Sequence, residues 1–226
     1  MFNSTLGFQG DVVLSNQTYS ATDFGGPGSE TLTQRSADVA LHAFYRNDQY
    51  LIGGFAQYGM SGVSAGSTPE GGSFDRYYAG AEGQLFLDNA TLYAQVGGQQ
   101  LADGPVGING WFGTFEARYF LQPDFKIDGH VGFDTLSITE GSGTTLTTWH
   151  AGVGAEYRFT GTPFSVFAKY DYSQETAAGE PGAINDNRIL VGAKFNFDTT
   201  TLMDRDRSGA SLKPVDQDLG LLGIGL

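Results

Sequence analysis

The sequence contains no cysteine in 226 residues, which excludes disulfides, thiolate metal centres and thiol nucleophiles. It is also short of charge, with Asp, Glu, Lys and Arg together making up 16% of the chain. Bases are the scarcer sign, 12 Lys and Arg against 25 Asp and Glu, for a formal net charge of -13. So few cations argue against a nucleic-acid partner, because little is present to neutralise phosphates. No apolar run approaches the roughly 18 residues a spanning helix needs. Phosphate loop, zinc and dinucleotide signatures are absent, so neither a cofactor nor a metal is expected. The first residues, MFNSTLGFQG, show no basic segment followed by an apolar one. The start of the sequence is compatible with either a cytoplasmic chain or a mature form from which a signal peptide has been removed.

What fills the space is glycine, 34 residues, with 13% aromatic residues and a mean hydropathy of -0.21. Low charge without high hydropathy points to many strands joined by polar connections. The stretch NRILVGAKFNFD shows the pattern: Ile189, Val191, Ala193, Phe195 and Phe197 alternate with Arg188, Gly192, Lys194 and Asn196. Period two marks a strand with one apolar and one polar face. Ten such segments are predicted, at 4–16, 35–46, 50–60, 76–87, 91–100, 110–121, 125–137, 147–159, 164–174 and 187–198. Short connections (46–49, 87–90, 121–124, 159–163) alternate with long ones (17–34, 61–75, 101–109, 139–147, 174–186). Long strands with short turns at one end and long loops at the other are the layout of a transmembrane β-barrel.

The apolar faces carry two aromatic rows. Tyr45, Tyr119, Tyr157, Phe195 and Phe197 fall near the short turns; Tyr58, Tyr77, Trp111, Trp149 and Tyr170 fall near the long loops. Between them lie Val39, Leu41, Val131, Val153 and Val191. Amphipathic rings flanking an aliphatic band are the girdles expected at the two bilayer interfaces. The segments TLGFQGDVVLSN, RYYAGAEGQLFLDNATLYAQVGG and ILVGAKFNF resemble strands of small outer-membrane β-barrel proteins of Gram-negative bacteria, of the porin-like or OmpA-like kind. The resemblance implies residence in the outer membrane among lipid and lipopolysaccharide. It also implies that the barrel assembly machinery reads the aromatic-ended last strand at 195–197.

If apolar faces meet lipid, the polar faces point inward. Parity then places Glu82, Glu116, Arg118, Lys126, Asp128, Glu156, Arg158, Lys169, Asp171, Arg188 and Lys194 in the lumen, in near balance of sign. Glu116 and Arg118 are expected beside Lys126 and Asp128, and Glu156 and Arg158 beside Lys169 and Asp171. Buried ions require such partners, and ten strands enclose little more space than side chains fill. The fold expected is all-β: a single ten-stranded antiparallel up-and-down transmembrane barrel over 1–198, followed by a periplasmic extension over 199–226.

The function expected is non-enzymatic, a structural or narrow-pore barrel with a charge-balanced polar lumen. One alternative is an outer-membrane hydrolase in which Asp134 orients His150 as general base near the long loops; no nucleophile with a fixed partner accompanies them. Another is a scaffold whose apolar tail residues, Leu219, Leu221, Leu222, Ile224 and Leu226, dock a periplasmic partner or a neighbouring copy. The acids of the long loops have no regular ligand spacing, so a solvated loop surface is expected there rather than a metal site.

Overall fold

A computed structural model describes residues 5–20, 31–65, 73–103, 106–138, 144–179, 181–196 and 201–215. Ten strands follow one another: β1 (Thr5–Ser20), β2 (Thr31–Arg46), β3 (Tyr50–Ala65), β4 (Ser73–Phe86), β5 (Ala90–Asp103), β6 (Val106–Gln122), β7 (Phe125–Ile138), β8 (Thr145–Arg158), β9 (Phe164–Ala177) and β10 (Ile184–Phe195). Each pairs antiparallel with its neighbours in sequence, giving one up-and-down sheet in the order β1 to β10. The sheet curls into a half-barrel whose edge strands are β1 and β10.

The strands begin and end differently from the alternating segments at the long-loop end. β3 runs to Ala65 where alternation stops near 60, and β2 starts at Thr31 rather than 35. Beyond the apolar band nothing requires one face to be apolar, so the hydrogen-bonded ladder outlasts the pattern that revealed it.

The convex face carries the exposed apolar band and aromatic rings expected of a transmembrane β-barrel. Val12, Leu41, Val131, Val153, Ile189 and Val191 are all exposed there. Tyr45, Tyr58, Tyr77, Trp111, Tyr119, Trp149, Tyr157, Tyr170 and Phe195 are exposed on the same side. Toward the long loops, Tyr58 stacks on its cross-strand partner Tyr77, ring centroids 5.2 Å apart, and Phe133 bridges Trp111 and Trp149 at 4.6 and 5.5 Å. Toward the short turns, Phe164 meets Phe195 at 5.1 Å and Phe125 meets Tyr157 at 6.3 Å. The expected rows thus include groups of touching rings at both ends of the strands; Phe197 lies outside the described residues. Backbones approach closely between some strands. A Cβ at Gly80 would stand 2.1 Å from the Val96 carbonyl oxygen, so only glycine fits that crossing.

The concave face is not purely polar. Phe74, Leu101, Ile108, Leu136 and Leu146 form a buried apolar collar at the long-loop end of β4 to β8. The collar residues share parity with the lumen charges, but Phe74, Leu101, Ile108 and Leu146 fall in the stretches 61–75, 101–109 and 139–147 expected as loops, where the strands extend further than the alternation.

After β10 comes α1 (Leu202–Ser208), opened by a capping box in which the Thr201 hydroxyl accepts from the Asp204 amide and the Asp204 carboxylate accepts from the Thr201 amide. The described part of the segment read as a periplasmic extension, 201–215, packs against the concave face. Leu202, Leu212 and Val215 are buried there. The cause is complementarity: a wall lined with amides and ions offers partners to a segment rich in both. The five tail residues from Leu219 to Leu226 lie outside the described residues.

Candidate functional site: the lumen and the C-terminal segment

Of the residues assigned inward by parity, Glu82, Glu116, Arg118, Asp128, Glu156, Arg158 and Asp171 are buried and Lys169 lines the lumen cavity; their pairing follows register and the tail together. Arg118, fully buried, donates from Nε to Glu116 Oε1 at 2.8 Å and from Nη1 to Asp206 Oδ1 at 2.5 Å and to the Ser211 carbonyl at 3.0 Å. Lys213 completes the group by donating to the second oxygen of Glu116. Arg118 stands opposite Asp128 in the ladder, yet it turns to the tail, and Asp128 takes Lys126 at 3.2 Å.

A second group surrounds Glu156. Lys194 of β10 bonds one oxygen at 2.7 Å, and Arg205 of α1 and the hydroxyl of Ser165 bond the other at 3.1 and 2.8 Å. Lys126 stands 3.8 Å away. The expected neighbourhood of Glu156 and Arg158 with Lys169 and Asp171 is therefore corrected. Lys169 and Asp171 lie opposite Gly154 and Gly152, higher on the strand, and Arg158 donates to the Thr162 carbonyl at 3.0 Å. Asp171 is met by Arg188 and by His130, each at 3.3 Å.

Two further pairs complete the wall. His42 bonds Glu82 at 2.6 Å, and the Tyr93 hydroxyl donates to the other Glu82 oxygen at 2.9 Å. Arg76 donates to Asp38 at 3.1 Å. Tail residues Arg205, Asp206 and Lys213 are thus members of the lumen network that strand parity could not include. Their signal in the sequence was the charged and small run DRDRSGASLKP directly after the last strand.

His150 and Asp134 do come together, with Nδ1 3.4 Å from Oδ2. Glycine makes the space: His150 lies opposite Gly132 and His130 opposite Gly152 in the β7–β8 ladder. A Cβ at Gly132 would come within 2.1 Å of the His150 ring, and one at Gly152 within 2.5 Å of the His130 ring. The two imidazoles lie 5.9 Å apart. With Glu116, Lys169, Lys213 and Val215 they line a cavity of about 270 Å³. The apolar collar lies on the long-loop side of His150 in β8; the tail forms the opposite boundary.

The tail is the floor of this chamber. Arg46 donates to the Gly209 carbonyl at 3.0 Å, and Arg207 reaches the carbonyls of Leu87 and Asp88 in a short turn. Lys213 keeps 37% of its side chain open toward the chamber, yet burial around its ammonium pulls its pKa down to about 8, with Glu116 opposing. Among the described residues no three His, Asp or Glu side chains converge as metal ligands. The arrangement presents donors, acceptors and charges of both signs to the chamber; among the described residues the His150–Asp134 pair has no third group held against it as a nucleophile.

No protein-family model matches the chain, and no curated protein matches it. Among solved structures, it is similar to in-vitro folded OmpT, an outer membrane protein of Vibrio cholerae, in its trimer form. That alignment has 10% identity over 87% of this chain and 85% of that one, with a TM-score of 0.45. A loop L8 deletion mutant of the same protein aligns at 12% identity over 82% and 75%, with a TM-score of 0.47.

Proposed function

We propose that this outer-membrane barrel protein serves narrow, porin-like passage of small polar solutes, without enzymatic activity, and that its own C-terminal segment restricts the lumen. The observation that carries the reading is the chamber of about 270 Å³, lined by charges of both signs between the collar and the tail. In hydrocarbon every main-chain polar group needs a partner. β1 rises and β10 descends, so the two edges have the antiparallel sense required to meet and close the wall. Hydrogen bonds from Gln9 of β1 to Leu212, and from Arg205 to Asn196 just after β10, hold the tail to both ends of the sheet. The placement in a Gram-negative outer membrane rests on the lipid-facing surface and the strand resemblance.

Single-channel recording in planar bilayers tests the reading. The full chain is expected to pass little current, and a chain ending at Ser208 several-fold more, provided the shortened protein keeps heat-modifiable gel mobility. A folded, shortened protein as silent as the full chain would overturn the passage reading.

A further inference from the structure

The wall holds residues 209–215 largely by their main chain. The Gln9 carboxamide accepts from the Leu212 amide at 3.2 Å and donates to the Leu212 carbonyl at 2.9 Å. Gln57 does the same to Val215, accepting at 2.7 Å and donating at 3.4 Å. Gln84 donates to the Ser211 carbonyl at 3.3 Å and Gln95 to that of Lys213 at 3.1 Å. A carboxamide offers the donor and acceptor of a peptide group. Four of them, placed on β1, β3, β4 and β5, therefore give the inside of the barrel what an open strand edge gives elsewhere: sequence-tolerant hold on a passing main chain.

Selectivity comes from three side-chain seats. Leu212 packs among Leu51, Phe86 and Tyr93; Val215 packs against Phe55, Tyr78 and Phe112; Glu116 receives Lys213. The strands themselves pair side by side through their own ladders. The glutamines are thus an addition to the wall, directed at something inside it.

We infer that this wall is a peptide-binding site which accepts, in trans, a short peptide carrying an apolar residue, a lysine and a second apolar residue spaced as in Leu212–Val215. The chain's own tail is its resident occupant, tethered through α1. The inference concerns which molecule the wall binds and stands apart from solute passage, so conductance results leave it untouched.

The test uses the full chain in detergent micelles with Lys213→Glu, which sets a carboxylate against Glu116 and releases the tail while leaving the wall intact. The probe is a fluorescein-labelled peptide of sequence GASLKPVD, residues 209–216. It is expected to bind the Lys213→Glu chain saturably and roughly tenfold more tightly than the unaltered chain, whose site is filled. A peptide with glutamate in place of the lysine, or with scrambled order, should bind neither. Adding Gln9→Leu and Gln57→Leu should abolish binding while heat-modifiable mobility persists. Trypsin cleavage after Arg207 reports release of the tail independently. Unchanged protection in the Lys213→Glu chain would overturn the Glu116 seat. Failure of the peptide to bind a released, folded chain, or equal binding of the scrambled peptide, would overturn the site.

Discussion

Replacement of Arg118 by leucine is expected to lower the unfolding free energy by about 3–5 kcal/mol, the loss typical when one member of a buried ionic group is removed. The Arg118 guanidinium contacts Glu116, Asp206 and the Ser211 carbonyl together. Without it two carboxylates remain in a water-poor lumen, and only Lys213 remains on one of them. Urea titration in lipid vesicles, read by gel mobility, measures the change. A second substitution, Asp206→Asn, should recover part of the loss, because it removes one of the charges left unpaired. The same variants should expose the tail to trypsin, since Asp206 and Ser211 lose their anchor together. A loss under about 1 kcal/mol, the range of exposed ion pairs, would mean that Arg118 does not organise the lumen.

Placing arginine at Val131 should cost about 2–4 kcal/mol, the penalty for a cation facing lipid near the bilayer midplane. Val131 is 55% exposed on the convex side, between Phe115 of β6 and Ala151 of β8 in the ladders. Its neighbour in the opposite sense, Thr114, lines the polar chamber. Arginine there meets the carboxylates of the chamber lining, so Thr114→Arg should cost less than Val131→Arg. Equal effects at the two positions in vesicles would erase the distinction between a lipid face and a lumen face.

The outer surface was legible because lipid imposes a strict rule on every second residue. Once ten segments shared that rule, the positions of Trp111, Trp149 and Tyr170 followed from counting alone. Which ions meet was legible only in part. Parity shows that Glu156 faces inward, but its partners come from β10, from α1 and from β7 at once. No local pattern encodes such a meeting. The tail was the least legible element. Its hold depends on side-chain amides reading main chain, a contact that leaves no periodicity behind, and on partners far away in sequence. The inward collar of Phe74, Leu101 and Leu146 escaped for another reason: the strands run beyond the alternating pattern, into stretches that composition marks as loops.

The tail also fixes an order of events. Every strand-to-strand ladder joins consecutive strands, so the sheet can grow hairpin by hairpin from local encounters. The bond between Gln9 and Leu212 spans 203 residues. It requires the first strand, the lumen wall and the last segment to be in place together, and such long closures come after the local ones. Seating of residues 209–215 is therefore expected to follow the growth of the sheet rather than precede it. A barrel that stalls with a strand missing leaves Arg205, Arg207 and Lys213 accessible to proteases that cut after basic residues.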